Sequence, residues 1–132
     1  DIANMIMDRV KTEDAIPYWD YDAPVTKETP CDVSAASVTA SAMIELSTMV
    51  PDGQKYLDYA EKILKSLSSD AYLAKVGDNQ GFILMHSVGS LPNGSEIDTP
   101  LNYADYYYLE ALKRFMELKK LKVENGELRV IQ

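Results

Sequence analysis

The chain has 132 residues, 46% of them apolar, which suits a single domain with a buried hydrophobic core. Its net charge is −8 and its isoelectric point is near 4.5, so nucleic acid and anionic membranes, which both bind basic surfaces, are not expected as partners. The single cysteine, Cys31, excludes an internal disulfide, and the longest apolar run is shorter than the roughly 18 residues that a membrane span needs.

The first residues predict the end of a helix. Residues 1–12 place Ile2, Met5, Ile6 and Val10 on one face at three- and four-residue spacing, and no capping residue opens the pattern. The chain also begins without a methionine. We therefore expect a piece of a longer protein or a processed chain, and its compartment, cytoplasmic or periplasmic, stays open.

A long proline-containing loop follows this helix. Residues 13–33 contain Pro17, Pro24 and Pro30, and loops of this length in compact domains tend to be functional. Near its centre, residues 19–22 alternate aromatic and acidic side chains. This combination is typical of sugar-binding sites and is also common in ordinary acidic loops, so the segment alone leaves both interpretations open.

The next two predicted helices differ in how their apolar and small residues are distributed around the helix. The first begins at an N-cap, Asp32 or Ser34, and is rich in Ala, Ser and Thr on every side, which predicts an inner, buried helix. After a turn at 51–54, with Asp52 as a possible cap, residues 54–68 carry one apolar stripe. This pattern predicts an outer helix.

The rest of the chain combines a glycine-rich loop with a last helix. Residues 76–101 hold four of the six glycines, and 81–89 is predicted to be either a short strand or an extended segment. Residues 102–120 predict a second inner helix, because its start is apolar and aromatic nearly all round. Asn125-Gly126 indicates either a terminal hairpin or a frayed end.

This order of elements predicts an all-α fold. The αα-hairpins form either an open array or part of a larger helical toroid, with a glycine-rich loop or short strands near 76–101. We treat residues 1–132 as one segment. The two inner helices need further elements to bury them.

His86, the only histidine, opens the Gly/Ser loop. It could bind a carboxylate or hydroxyl of a ligand, or its ring could be satisfied by backbone groups. A histidine-based metal site is excluded because there is no second histidine. Ser87 and Ser90 could hold an anion, although that loop contains no lysine or arginine and lacks the ending of a phosphate-binding loop.

Acidic residues are too numerous for a pair alone to indicate catalysis, since the chain contains 21 of them. Glu96 and Asp98 are candidates of this kind. Asp105 lies among tyrosines at the start of the last helix. Its carboxylate either takes part in a hydrogen-bond network or a binding site, or it only interacts favourably with the dipole of the helix N-terminus.

A catalytic triad built on Ser87 and His86 is discounted because no Gly-x-Ser-x-Gly turn is present. Cys31 precedes a helix N-terminus without an identifiable base and is expected to be a packed thiol.

Three blocks in fixed order resemble one known family: PYWDYDAP, PCDVSAASVTASAMIELS and ILMHSVGSLPNGSEIDTPLNYADYYYLEALKRF. They are similar to the motifs Trp-Asp-Phe-Asp, Pro-Arg-Asp-Ser-Ser-Ala-Ala, His-Gly-Thr-Gly and Tyr-Gly-Asp-Tyr-Tyr-Phe-Leu-Glu-Ala-Leu. These motifs belong to the C-terminal part of the unsaturated glucuronyl hydrolases, glycoside hydrolase family 88. The resemblance covers about residues 1–118.

The resemblance implies a segment of an (α/α)6 toroid. The family removes Δ4,5-unsaturated uronic acid from the non-reducing end of lyase-derived oligosaccharides by hydrating the double bond, without a metal or another cofactor. Its catalytic aspartates precede the first block, so no catalytic residue is expected in this chain. The candidate residues for binding substrate are Trp19, Asp20, Asp22, His86, Ser87, Ser90, Tyr103 and Asp105.

Two positions depart from the family pattern. Cys31 replaces an arginine, which removes an ion pair with nearby carboxylates. Pro92 stands where some members carry a lysine that binds substrate sulfate, so sulfated substrates are less expected.

The expected partners are an unsaturated uronic-acid oligosaccharide and either the missing N-terminal half or a second copy of the chain. Half a toroid exposes apolar helix faces, and such faces drive association. The alternative is a non-catalytic helical module that binds carbohydrate or protein.

Overall fold

The computed structural model of the chain describes residues 1–124. Within them, the chain forms four α-helices: α1 (Ile2–Arg9), α2 (Val33–Ser47), α3 (Gln54–Leu67) and α4 (Asn102–Glu124). Two short 3-10 turns lie between α3 and α4, and this part of the chain contains isolated β-bridges but no named strand. The hairpin predicted at Asn125-Gly126 lies outside the described residues.

The helix starts show how the sequence sets local structure. Asp32 caps α2 as predicted, with its Oδ1 accepting a hydrogen bond from the Ser34 backbone N–H at 3.0 Å. The cap predicted at Asp52 is wrong: Gly53 takes that position. A Cβ at residue 53 would lie 1.9 Å from the Ser47 carbonyl oxygen, so only glycine allows the start of α3 to approach the end of α2 so closely.

α2 and α3 bury the faces expected of an inner and an outer helix. Small side chains of α2 are buried where it packs against both α3 and α4. The buried residues of α3 form the single predicted stripe: Tyr56, Leu57, Ala60, Ile63, Leu64 and Leu67. α3 therefore covers the inner layer from one side only.

Side-chain contacts fix the directions of the helices. Tyr103 near the start of α4 contacts Ser34 near the start of α2, and Arg114 further along α4 reaches Ser41 further along α2, so these two helices run parallel. α3 runs against α4, because Ser68 at the end of α3 contacts Tyr108 at 2.8 Å while Glu61, earlier in α3, pairs with Lys119, later in α4. The inner helices therefore start at the same end of the molecule, and the loops before them meet there.

Parts of the inner layer stay uncovered among the described residues. Large apolar side chains on α4, including Tyr106, Leu109 and Met116, are exposed. A groove of about 470 Å³ also opens between α1 and α2, lined by Ile6, Met49 and neighbouring apolar residues. No helix in residues 1–124 is both long and apolar enough to cross a bilayer.

The predicted segment 81–89 forms isolated β-bridges but no named strand: Gly81 ends a 3-10 turn, and His86, with φ = 69°, interrupts the extended backbone that follows. Leu84 pairs with Leu73, and Ser87 pairs with Thr99 through two backbone hydrogen bonds of 2.9 and 3.0 Å. Gly89 continues this pairing by donating to the Glu96 carbonyl at 2.7 Å. The chain from 87 to 99 therefore turns back on itself as a narrow loop whose tip is a 3-10 turn.

Candidate functional site

The N-terminal ends of α2 and α4 carry a cleft of about 420 Å³. Its lining includes Lys27, Cys31, Tyr72, His86, Leu91 and Asp98. These residues come from three loops that are far apart in the sequence. The cleft exists because the inner helices are parallel and bring those loops to one end.

His86 is the most distinctive group in the cleft. Its Nδ1 lies 2.5 Å from Oδ1 of Asp98, and its ring meets Tyr72 edge-on with 6.3 Å between ring centroids. The side chain is still 43% exposed. The proposed pairing of this ring with backbone groups is therefore not observed: a carboxylate is its partner, and the ring remains open to the cleft.

The two serines of this loop do not share one surface. Ser87 is 0% exposed and its hydroxyl has no hydrogen-bond partner among the described residues. Ser90 Oγ accepts a hydrogen bond from Asn93 Nδ2 at 2.7 Å. Ser87 thus lies beneath the cleft, and the expected pair of anion-binding hydroxyls is not brought together.

Asp105 forms a network with backbone groups, the first of its two predicted roles. Its Oδ2 accepts from the Ile83 N–H at 2.8 Å, and its Oδ1 accepts from the Leu84 N–H at 2.9 Å. Both oxygens are thus engaged by the chain itself, and this carboxylate braces the loop before the cleft.

Asp32 has a second role that the sequence does not reveal. It is 8% exposed, and its Oδ1 accepts from the Ser34 N–H, the Ser34 hydroxyl at 2.6 Å and the Val88 N–H at 3.2 Å. The contact with Val88 joins positions 56 residues apart. No local pattern signals it, because it depends on how the loop packs on α2.

The Trp19–Asp22 segment borders a separate depression of about 290 Å³. Asp22 forms an ion pair with Arg9, and Asp20 accepts a hydrogen bond from the Asp22 backbone N–H at 2.7 Å. The Trp19 N–H donates to the Pro30 carbonyl at 3.0 Å, next to Cys31 in the cleft wall. The two acids therefore brace their own loop, and that loop supports the cleft from outside.

Burial governs the ionisable groups around the cleft. Partial burial raises the pKa of Tyr103, and the Asp32 carboxylate adds to the increase. Burial also raises the pKa of the Cys31 thiol, with further increases from Asp14 and Asp98. The thiol therefore stays protonated near neutral pH, which agrees with the predicted packed thiol.

Lys27 is the functional candidate that sequence reasoning missed. The Gly/Ser loop itself has no lysine or arginine, but folding brings this exposed lysine from the proline-containing loop to the same cleft. The cleft lining thus combines one lysine, the His86–Asp98 pair, the further carboxylate of Glu28 and the aromatic edge of Tyr72. Within residues 1–124, no cluster of three or more His, Cys, Asp or Glu residues is arranged to hold a metal ion.

Comparisons with known proteins point to one kind of enzyme, although no protein-family profile matches the chain. The unsaturated glucuronyl hydrolase of Formosa agariphila is 47% identical over 106 residues, which cover 80% of this chain and 26% of that protein. The enzyme of the same name from Bacillus sp. strain GL1 is 31% identical over 106 residues, covering 77% of this chain and 28% of that protein.

A solved structure gives the same result. The crystal structure of an unsaturated glucuronyl hydrolase specific for heparin is 62% identical, with a TM-score of 0.87 over 90% of this chain and 32% of that one. The resemblance extends to an Asp→Asn variant from Streptococcus agalactiae complexed with dGlcA-GalNAc6S, which is 30% identical with a TM-score of 0.78. That match covers 86% of this chain and 31% of the other.

Parallel inner helices backed by an antiparallel outer helix, together with these structural matches, define part of an (α/α)6 toroid, as predicted. The class is therefore that of the toroidal glycoside hydrolases. The chain belongs to the unsaturated glucuronyl hydrolase family, glycoside hydrolase family 88. It spans about a quarter to a third of the length of the relatives that it matches.

Proposed function

We propose that this chain is the C-terminal portion of an enzyme that hydrates Δ4,5-unsaturated glucuronic acid at the non-reducing end of lyase-derived oligosaccharides. The observation that carries the proposal is the 62% identity and TM-score of 0.87 with the heparin-specific unsaturated glucuronyl hydrolase. In this reaction a proton is added at C4 and the hydroxyl of a water molecule at C5, with the second proton of that water passing to a base. The unstable product then opens and releases the rest of the oligosaccharide.

The acid that supplies this proton is placed in the sequence before the first block. The hydrogen-bond and ion-pair partners of three acids in this chain support that placement. Both oxygens of Asp105 accept backbone hydrogen bonds, Asp22 pairs with Arg9, and Asp98 pairs with His86. These three carboxyls already have partners in the chain, and the proposal assigns the proton donor to the upstream segment, as the family resemblance implies.

The role assigned to this chain is to form one wall of the substrate pocket. His86, held by Asp98, and Lys27 supply donors that suit the uronate carboxylate or a neighbouring hydroxyl. Tyr103, near Asp32 at the start of α4, is placed at the rim. The loop of Trp19 supports that wall rather than binding the reacting sugar.

We propose that the Gly/Ser loop of this chain does not recognise a sulfate group on the substrate. Pro92 stands where some family members place a sulfate-binding lysine, and Ser87 is buried. Any cation for a substrate anion in this cleft would come from Lys27 instead. The relatives set the range to test, since one is specific for heparin and another was solved with dGlcA-GalNAc6S.

The test uses the complete protein that carries this chain. Unsaturated disaccharides from heparin and chondroitin, with and without sulfate, are followed by the loss of ultraviolet absorbance of the C4–C5 double bond. Loss with at least one of them is expected, and the saturated disaccharide should show no change. Absence of any loss across the set would contradict the proposed function.

Two further measurements locate the chemistry. Lys27→Ala should raise KM by about threefold, the effect of one exposed charge contact, while Lys75→Ala removes another exposed lysine outside the cleft and serves as its control. Hydration by residues 1–132 alone would overturn the upstream placement of the acid and return attention to Asp20, Asp22 and Asp105.

A further inference from the structure

Two carboxylates hold the segment 83–88 at its two ends. Asp105 of α4 binds the backbone N–H groups of Ile83 and Leu84, at 2.8 and 2.9 Å. Asp32, the cap of α2, binds the N–H of Val88 at 3.2 Å. Hydrogen bonds to carboxylates are stronger than those between neutral groups, so both ends are firmly placed.

Between these two ends lies a residue with a strained backbone. His86 has φ = 69°, in the left-handed region that non-glycine residues rarely occupy. Such a conformation persists only when the surrounding structure enforces it. The His86 carbonyl also accepts a hydrogen bond from the Val33 N–H at 3.2 Å, which ties this residue to the start of α2.

We propose that Asp105 and Asp32 are positioning residues that hold His86 in its left-handed conformation, so that its ring faces Asp98 and the cleft. Neither carboxylate is assigned a contact with substrate; each acts through the backbone on either side of His86. The inference rests on the proposed function, because it matters for the reaction only if His86 contacts the substrate.

The two carboxylates differ in a way that makes the inference testable. Asp105 uses both oxygens, whereas Asp32 makes all three of its contacts through Oδ1. Asparagine keeps one oxygen and turns the other into an NH2 donor. Asp105→Asn therefore sets a donor against a backbone N–H, while Asp32→Asn preserves every contact that the structure assigns to Asp32.

The first measurement is amide hydrogen exchange on the complete protein that carries this chain. Asp105→Asn should speed exchange in a peptide spanning 82–90 by about tenfold, because a backbone hydrogen bond is lost. Asp32→Ala should do the same at Val88, and Asp32→Asn should restore protection to within about twofold of the parent protein. Unchanged exchange in both Asp105→Asn and Asp32→Ala would overturn the clamp.

The second measurement separates positioning from stability alone. On the unsaturated disaccharide, Asp105→Asn and Asp32→Ala should each raise KM by about tenfold, and Asp32→Asn should recover most of the loss of Asp32→Ala. In a His86→Ala background, Asp105→Asn should add less than about twofold, because its effect passes through the missing ring. A full tenfold effect in that background would overturn the proposal.

The outcomes distinguish failure of the positioning role from failure of the proposed function on which it rests. If His86→Ala leaves kcat and KM unchanged, the proposed role of the cleft fails. If His86→Ala raises KM but the Asp105 and Asp32 variants do not, the positioning role fails and the cleft stands. Melting temperatures identify a variant that does not fold. If Asp105→Asn is such a variant, the comparison of Asp32→Ala with Asp32→Asn decides whether the positioning role holds.

Discussion

Arg114 links the two inner helices, and its removal tests how they are held together. Its Nη1 donates to the Ser41 carbonyl at 3.0 Å and to the Ser41 hydroxyl at 3.1 Å. The same guanidinium forms ion pairs with Glu45 at 3.1 Å and with Glu110 at 2.7 Å. One side chain thus connects α4 to α2 through a buried serine and the partly exposed carboxylate of Glu45, while its pair with Glu110 lies within α4.

The expected cost of Arg114→Met follows from these contacts. Ser41 is 1% exposed, and a buried hydroxyl deprived of a charged donor costs about 1–3 kcal/mol. Each partly exposed ion pair adds about 0–1 kcal/mol after solvent screening. We therefore expect the free energy of unfolding to fall by about 2–3 kcal/mol. Adding Ser41→Ala should restore about 1 kcal/mol, because no buried polar group is then left unpaired.

The assay is urea unfolding of the 132-residue chain, followed by far-ultraviolet circular dichroism at several protein concentrations. Arg114→Lys is the control, since it keeps the charge and loses the two-pronged donor, and it should lie between the parent chain and Arg114→Met. A strictly additive cost in the Ser41→Ala and Arg114→Met double variant would refute the reasoning. So would a cost below about 0.5 kcal/mol for Arg114→Met.

Three further predictions concern pH, the loop and association. Burial and the hydrogen bond to Asp14 raise the pKa of Tyr72, so the unfolded phenol loses its proton first and stability should fall as pH rises above about 10. Melting temperatures from about pH 8 to about pH 11 should therefore drop less steeply in Tyr72→Phe, and an equal slope would contradict this assignment. Gly89→Ala should raise KM, because its Cβ would meet the Glu96 side chain at 2.1 and 2.8 Å; unchanged kinetics would show that the loop relaxes without moving the cleft. The isolated chain should associate through the exposed faces of α1, α2 and α4, and a monodisperse monomer in sedimentation velocity would argue against it.

The helices could be predicted because their signals are local. The apolar stripe of α3 and the cap of α2 need only residues three or four positions apart. The start of α3 at residue 54 could be predicted, but its cap could not, because Gly53 is required by the approach of Ser47, a contact made only when two helices pack. Sequence patterns describe one helix at a time, and this constraint involves two.

Less of the candidate site than of the fold could be predicted from the sequence. The sequence identifies His86 and Asp105 as candidates and gives a hydrogen-bond network as one role for Asp105, but it does not reveal the partners of that carboxylate, which are backbone groups 21 and 22 residues away. Lys27 reaches the cleft of His86 across 59 positions, the difference between 86 and 27. Neither of these long-range contacts produces a periodic pattern in the sequence, so only the folded chain reveals them.

The narrow loop from 87 to 99 separates two tasks that a single segment usually combines. Asp105 and Asp32 hold the backbone that leads into this loop, while its tip at Leu91–Asn93 is closed by its own backbone hydrogen bonds, with Leu91 in the cleft lining and Pro92 and Asn93 exposed. We therefore expect changes at Pro92 and Asn93 to leave the orientation of His86 unchanged. A lysine at position 92 would therefore add a cation beside Leu91 in the cleft lining without changing the hydrogen bonds that hold the backbone around His86.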